Sequence, residues 1–198
     1  LYLGSLALET IMGIPMMYGV LGLAVFAAAY SLYGGLSAVS WTDVIQVIFL
    51  TIGGLVTTYL ALDAVSGGEG FLAGMTTIMD AAPERFAMIL DKSNPEYISL
   101  PGIGVLVGGM WVANLYYWGF NQYIIQRTLA AKSLRESQKG ILLAAGIKLI
   151  LPLIVVIPGI AAYVMINDPE ILAGLGDVAQ TNMPSMDQAD KAYPWLLQ

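Results

Sequence analysis

The 198-residue chain contains no cysteine and no histidine. Disulfides, thiolate or imidazole metal sites and histidine acid–base chemistry are therefore excluded within it. Charge is scarce as well. Only 11% of residues are charged, whereas a soluble domain carries roughly a quarter. A chain this poor in charge cannot cover a water-facing surface. The net charge of −6 is the wrong sign for nucleic-acid binding. There is no glycine-rich phosphate loop, no nucleophile beside a base and no metal-ligand cluster, so nothing in the chain reads as an enzyme. Its first residues, 1–8, are apolar and do not read as the basic start of a cleavable signal peptide.

Apolar residues make up 58% of the chain, and the mean hydropathy is +0.74. The charges are segregated. Stretches 10–42, 44–62 and 97–126 have none, and 140–167 has one, Lys148. A hydrocarbon core of about 30 Å takes about 20 apolar residues as a helix. Backbone amides in hydrocarbon must pair within the protein, so only helices or closed barrels can cross. The runs lack the two-residue alternation of a barrel. The fold class expected is all-α, a multi-pass transmembrane helical protein embedded in a lipid bilayer.

Glycine, proline and the charges divide the chain. Residues 1–12 read as the end of a helix, broken by Gly13 and Pro15. Transmembrane helices are expected at 14–33, 41–65, 101–129 and 140–167. Stretches 66–100 and 168–198 are expected as extracellular or periplasmic loops, with short interfacial helices at 71–79 and 83–90, and 130–139 as a cytoplasmic loop. Pro152 and Pro158 fall inside the last span, where membrane helices tolerate a kink. The chain reads as a fragment of one longer transporter domain, starting at Leu1 and ending on the approach to a further span. Arg127, Lys132, Arg135 and Lys139, half of the eight basic residues, cluster at the 130–139 loop, and the two long loops are mainly acidic. Excess Lys and Arg mark the cytoplasmic side, which sets the direction of every span.

Polar residues at membrane depth are costly unless paired or wetted. Lys148 lies nine residues from Lys139, hence about 13 Å into the membrane at 1.5 Å per residue. A lysine paired with a carboxylate or with carbonyls elsewhere is the plain reading, and a solute site the sharper one. Asn114, Tyr117, Trp118, Asn121 and Gln122 share one face of a continuous helix. Tyr117 lies about 15 Å from the same edge, close to the depth of Lys148. Amide, ammonium and aromatic faces suit a sugar, whose hydroxyls need donors and acceptors and whose C–H faces stack on rings. Hydrogen bonding between helices is the alternative. Asp43 near the start of its span is accounted for by the helix dipole, with a place on a cation path as the alternative.

The stretch SLYGGLSAVSWTDVIQ at 31–46 resembles the sodium:solute symporter family. NLYYWGFNQ at 114–122, followed by QRTLAAK at 126–132, is similar to its sodium/glucose and sodium/galactose cotransporter branch. The similarity runs over essentially the whole chain. It implies a LeuT-like fold of two inverted five-helix repeats with the solute near the midplane. It implies that Asn114 and Lys148 hydrogen-bond a sugar, that Tyr117 stacks on it and closes the inner gate with Trp118 beside it, and that Asp43 lies on the sodium pathway. The family's sodium-ligating residues fall outside this stretch.

The resemblance thus implies sodium-coupled symport of a galactose- or glucose-type sugar by alternating access in the inner (plasma) membrane of a bacterium. Its partners are sugar, sodium ion and bilayer, with Na+ as coupling ion and no permanently bound cofactor. A sodium symporter for another solute, a solute-sensing module of a signalling protein and a passive channel are the alternatives. The orientation is open to test. In full-length protein otherwise stripped of cysteine, Ser133→Cys reacts with an impermeant thiol reagent only from the cytoplasmic side, and Ser66→Cys only from outside. The reverse pattern overturns the topology.

Overall fold

The computed structural model describes residues 1–87, 89–98, 102–176 and 180–197. Pro101, expected as the first residue of a span, lies outside them, as do positions 88, 99, 100, 177–179 and 198 of the expected loops. Every described element is helical, and no strand occurs among the described residues. The fold class is all-α. The chain divides into two units, Leu1–Ala81 with Leu151–Gln198, and Ala82–Ile150.

In the first unit, helix α1 (Tyr2–Met12) ends at Gly13, whose φ of 68° lies in the left-handed region that glycine adopts without penalty. Pro15 caps the next helix, α2 (Met16–Val65), where proline costs no hydrogen bond. This helix is interrupted at Gly35, with φ 55° and ψ −152°. The interruption is one residue, not the loop expected between 33 and 41. Each side of it is long enough to cross hydrocarbon. Helix α3 (Phe71–Ala81) folds back on α2 after the turn Ser66–Gly70, where Gly67, Gly68 and Gly70 all have positive φ.

The core of this unit is small and built on close approach. Gly19 lies against Ser5, Gly74 against the Leu62 backbone and Gly54 against Ile154. Small residues are what let membrane helices approach this closely. Leu62, Ile78 and Ile154 are buried at the contacts. The Thr58 hydroxyl lies 2.7 Å from the Gly54 carbonyl and 2.8 Å from that of Leu153, a link between α2 and the later helix. At the far end of the chain, Asp168 caps helix α7 (Pro169–Gly174) with its carboxylate on the amides of Glu170 and Ile171. Asp-Pro at a helix start is a capping signal, so this part of the expected loop is helical. Helix α8 (Ala192–Trp195) carries the buried Trp195, and the Tyr2 hydroxyl donates to Asp190 at 3.1 Å.

In the second unit the expected single span at 101–129 is three pieces. A π-helical turn, Val105–Gly109, leads into α4 (Met110–Gly119). After a break at Phe120 and Asn121 comes α5 (Gln122–Leu129). Helix α6 (Leu134–Asn167) then starts well before the expected residue 140. Ser133 Oγ accepts the Glu136 amide at 3.3 Å, one half of a Ser-x-x-Glu capping box. That box takes the end of the expected cytoplasmic loop into the helix. Helix α6 passes into the first unit at Leu151.

Helices α2 and α6 are long and apolar enough to cross a membrane, with mean hydropathies of 1.9 and 2.6 over their most apolar stretches. Their large apolar side chains are largely exposed, Phe49 by 73% and Leu149 by 81%. Such a surface belongs against lipid tails or other helices. The α2–α6 contact gives a test. Gly54→Val forces a Cβ and two methyl groups onto Ile154, which costs about 1–3 kcal/mol by overpacking. The melting temperature of the detergent-solubilised full-length protein drops, and adding Ile154→Ala recovers part of the loss. No drop means the contact is absent.

Candidate functional site

The site is built on α4 and the first half of α6, all within the second unit. Asn114, Tyr117 and Trp118 sit at i, i+3 and i+4 on α4 and so share a face. The Tyr117 and Trp118 rings meet edge to face, centroids 5.4 Å apart and planes at 84°. The Lys148 ammonium of α6 sits in the corner they form, 4.7 Å from the Tyr117 ring centre and 4.8 Å from that of Trp118. Within about 6 Å a cation is attracted by the ring quadrupole, by about 0.5–1 kcal/mol when exposed and more when desolvated. The rings therefore orient the lysine. Among the described residues its ammonium meets the two rings and no acceptor, so its N–H donors are available to a ligand.

Asn114 donates from Nδ2 to the Met110 carbonyl at 2.8 Å. That bond fixes the amide and leaves its oxygen as an acceptor. The ammonium of Lys148, with donors only, thus lies over two rings, and the face of α4 that carries those rings also carries an amide acceptor at Asn114. This is an inventory for a neutral polyhydroxylated ring. Among the described residues no group of three or more acidic, cysteine or histidine side chains comes together for a metal.

The structure divides the other expected site residues. Asn121 and Gln122 do not extend the α4 stripe, because α4 stops at Gly119. Asn121 has extended backbone (φ −71°, ψ 115°), and its side-chain oxygen accepts the Tyr123 amide at 3.0 Å. It is the N-cap of α5. A Gly-x-Asn sequence inside an apolar run carries that signal. Arg127 stacks on the Tyr123 ring at 3.8 Å and donates to the Tyr123 carbonyl at 2.8 Å.

Asp43 lies in the other unit, on α2, half-buried. The helix resumes directly after Gly35, so Asp43 is about two turns beyond that restart. The dipole acts within the first turn, so it does not account for Asp43 at this position. Elsewhere in the second unit, a cavity of about 730 Å³ is lined by Asp91, Lys92, Tyr97 and Ile103 among others. Hydrogen bonds from the Ser93 amide and hydroxyl hold the Asp91 carboxyl below its usual range.

The sodium:solute symporter family matches residues 1–198, the entire chain. The chain belongs to the sodium:solute symporter family. It is 67% identical over 198 residues to a sodium/glucose cotransporter of Vibrio parahaemolyticus, covering 100% of this chain and 36% of that protein. It is 34% identical over 209 residues to the uncharacterized symporter YidK of Escherichia coli (strain K12), covering 100% of this chain and 32% of that protein. It is 33% identical over 208 residues to the sodium/myo-inositol cotransporter 2 of Homo sapiens, covering 100% of this chain and 30% of that protein. The chain spans about a third of the length of the curated relatives it matches. An all-α chain with two long apolar helices is consistent with the LeuT-like fold of the family, and membership makes this a membrane protein.

The break beside the site is testable. Asn121→Ala removes the cap of α5 and costs about 1 kcal/mol. It lowers the melting temperature of the full-length protein, and Asn121→Ser, which keeps a capping oxygen, restores most of it. Equal losses for both substitutions overturn the capping role.

Proposed function

We propose that this chain carries part of the solute site and of the ion path of a sodium-coupled sugar symporter. The single observation behind the reading is the Lys148 ammonium held over the Tyr117 and Trp118 rings, with the Asn114 amide on the same helix face. Lys148 and Asn114 hydrogen-bond sugar hydroxyls. Tyr117 stacks on the C–H face of the ring and gates the inward path, and Trp118 supports it. Two of the relatives above are a sodium/glucose and a sodium/myo-inositol cotransporter, and both solutes are six-membered rings bearing several hydroxyls. That shared chemistry supports a sugar over an amino acid or an anion.

Transport is alternating access. Sodium moving down its gradient drives sugar inward across the bacterial inner membrane. The two solutes are coupled because each stabilises the same occluded form, and the coupling free energy is reciprocal. Asp43, a half-buried acid on an apolar helix, attracts the cation along its exit. No bond is made or broken, and sodium comes and goes as a second substrate. No resident cofactor enters this scheme.

Uptake of D-glucose and D-galactose by the full-length protein in proteoliposomes tests the reading. An inward sodium gradient drives uptake of one or both. Lys148→Ala lowers it by about tenfold or more, the worth of a charge-assisted hydrogen bond. Asp43→Asn raises the sodium concentration needed for half-maximal uptake and leaves the sugar KM nearly unchanged. If neither sugar enters under any gradient, the sugar reading fails and solute sensing or another solute takes its place.

A further inference from the structure

The site described so far is rich in donors and poor in acceptors. Lys148 offers three N–H groups and accepts nothing, and Asn114 offers one oxygen. Every sugar hydroxyl placed there has a hydrogen of its own to donate. Helix α6 supplies the missing acceptor through its backbone. In an α-helix the carbonyl of residue i is satisfied by the amide of residue i+4. Four residues after Lys148 stands Pro152, inside α6, and proline has no amide hydrogen. The Lys148 carbonyl has therefore lost its helical donor. Residues i and i+4 share a helix face, so this oxygen opens on the side of α6 from which Lys148 itself projects, about one turn further along.

An unsatisfied carbonyl in a membrane helix is costly. One that lines a polar site is satisfied whenever a hydroxyl arrives. We infer that Pro152 is a specificity-determining residue of the solute site: by removing one amide it frees the Lys148 main-chain carbonyl to accept a hydrogen bond from a substrate hydroxyl. One residue then serves the solute twice, donating from its ammonium and accepting at its carbonyl. Pro158 frees the Ile154 carbonyl by the same rule, but Ile154 and Pro158 are buried, so that oxygen offers nothing to a solute. The inference rests on the sugar-transport reading above.

The test uses sodium-driven uptake of D-glucose and its monodeoxy analogues by full-length protein in proteoliposomes, for wild type, Pro152→Ala and Pro152→Gly. Both substitutions return the amide and close the helical bond, and glycine keeps the helix easy to bend. In wild type, one deoxy analogue has a KM about five- to tenfold above that of glucose, the worth of one hydrogen bond. In both variants the KM of glucose rises to about that of this analogue. Their ratio falls to about one, and the ratios at the other hydroxyls stay as in wild type. A loss equal for glucose and all analogues marks a merely structural proline and overturns the proposal. So does wild-type discrimination in Pro152→Gly.

A second measurement needs no variant to fold. In wild-type protein labelled with 13C at lysine carbonyls and 15N at leucine, the Lys148–Leu149 pair reports the carbonyl directly. Adding glucose moves its carbonyl shift in the direction of a stronger hydrogen bond, and no movement overturns the proposal. Absence of any sodium-driven glucose or galactose uptake by wild type is a failure of the transport reading instead.

Discussion

Hydrocarbon offers a backbone no hydrogen bonds, and the architecture of this chain follows from that. Each apolar stretch is helical because only a helix satisfies its own amides along its length. Wherever the helical ladder is interrupted, at Gly35, at Phe120 and Asn121, or at Pro152 and Pro158, another group has to meet the open backbone positions. Some of those groups are visible. At the break after Gly119, Asn121 caps α5 with its side chain. The break after Gly119 directly follows Tyr117 and Trp118 in sequence, so the interruption and the candidate site are parts of one local design.

The same scarcity of partners gives Lys148 its importance. A lysine on an apolar helix needs compensation, and here it is furnished by two ring faces. Ring faces attract the cation but do not take its protons. In the proposed sugar site, the arrangement would keep a charged donor ready for a neutral, hydroxyl-rich solute. A carboxylate partner would hold the lysine more firmly and leave less for the ligand.

The two units differ in how far they are closed. The first buries a real, if small, core around Leu62, Ile78, Ile154 and Trp195. In the second, among the described residues, only Ala82 is buried. The side chains of the candidate site therefore lie on open helix faces, as suits a chain that covers about a third of the length of its relatives.

Much of this was legible in residue order. Charge-free runs imposed helices in a bilayer, because an amide left unpaired in hydrocarbon is costly whichever helices lie beside it. Gly13 and Pro15 marked a break through backbone geometry alone. The depth match of Tyr117 with Lys148 came from counting residues at a fixed rise. Ser133-x-x-Glu136 and Asp168-Pro169 are helix-start signals present in residue order, although the charge pattern reads both stretches as loops. What residue order left open was continuity. Whether 101–129 is one helix or three depends on whether a cap on Asn121 outweighs the lost helical bonds, a balance of about 1 kcal/mol that a hydrophobicity pattern does not resolve. Asp43 was placed wrongly against the helix start for a similar reason, since a single flexible glycine at 35 replaced an expected loop. Contacts across helices, Gly54 on Ile154 and Lys148 over two rings, were decided by tertiary structure alone, because side-chain packing between segments far apart in sequence has no periodicity to read.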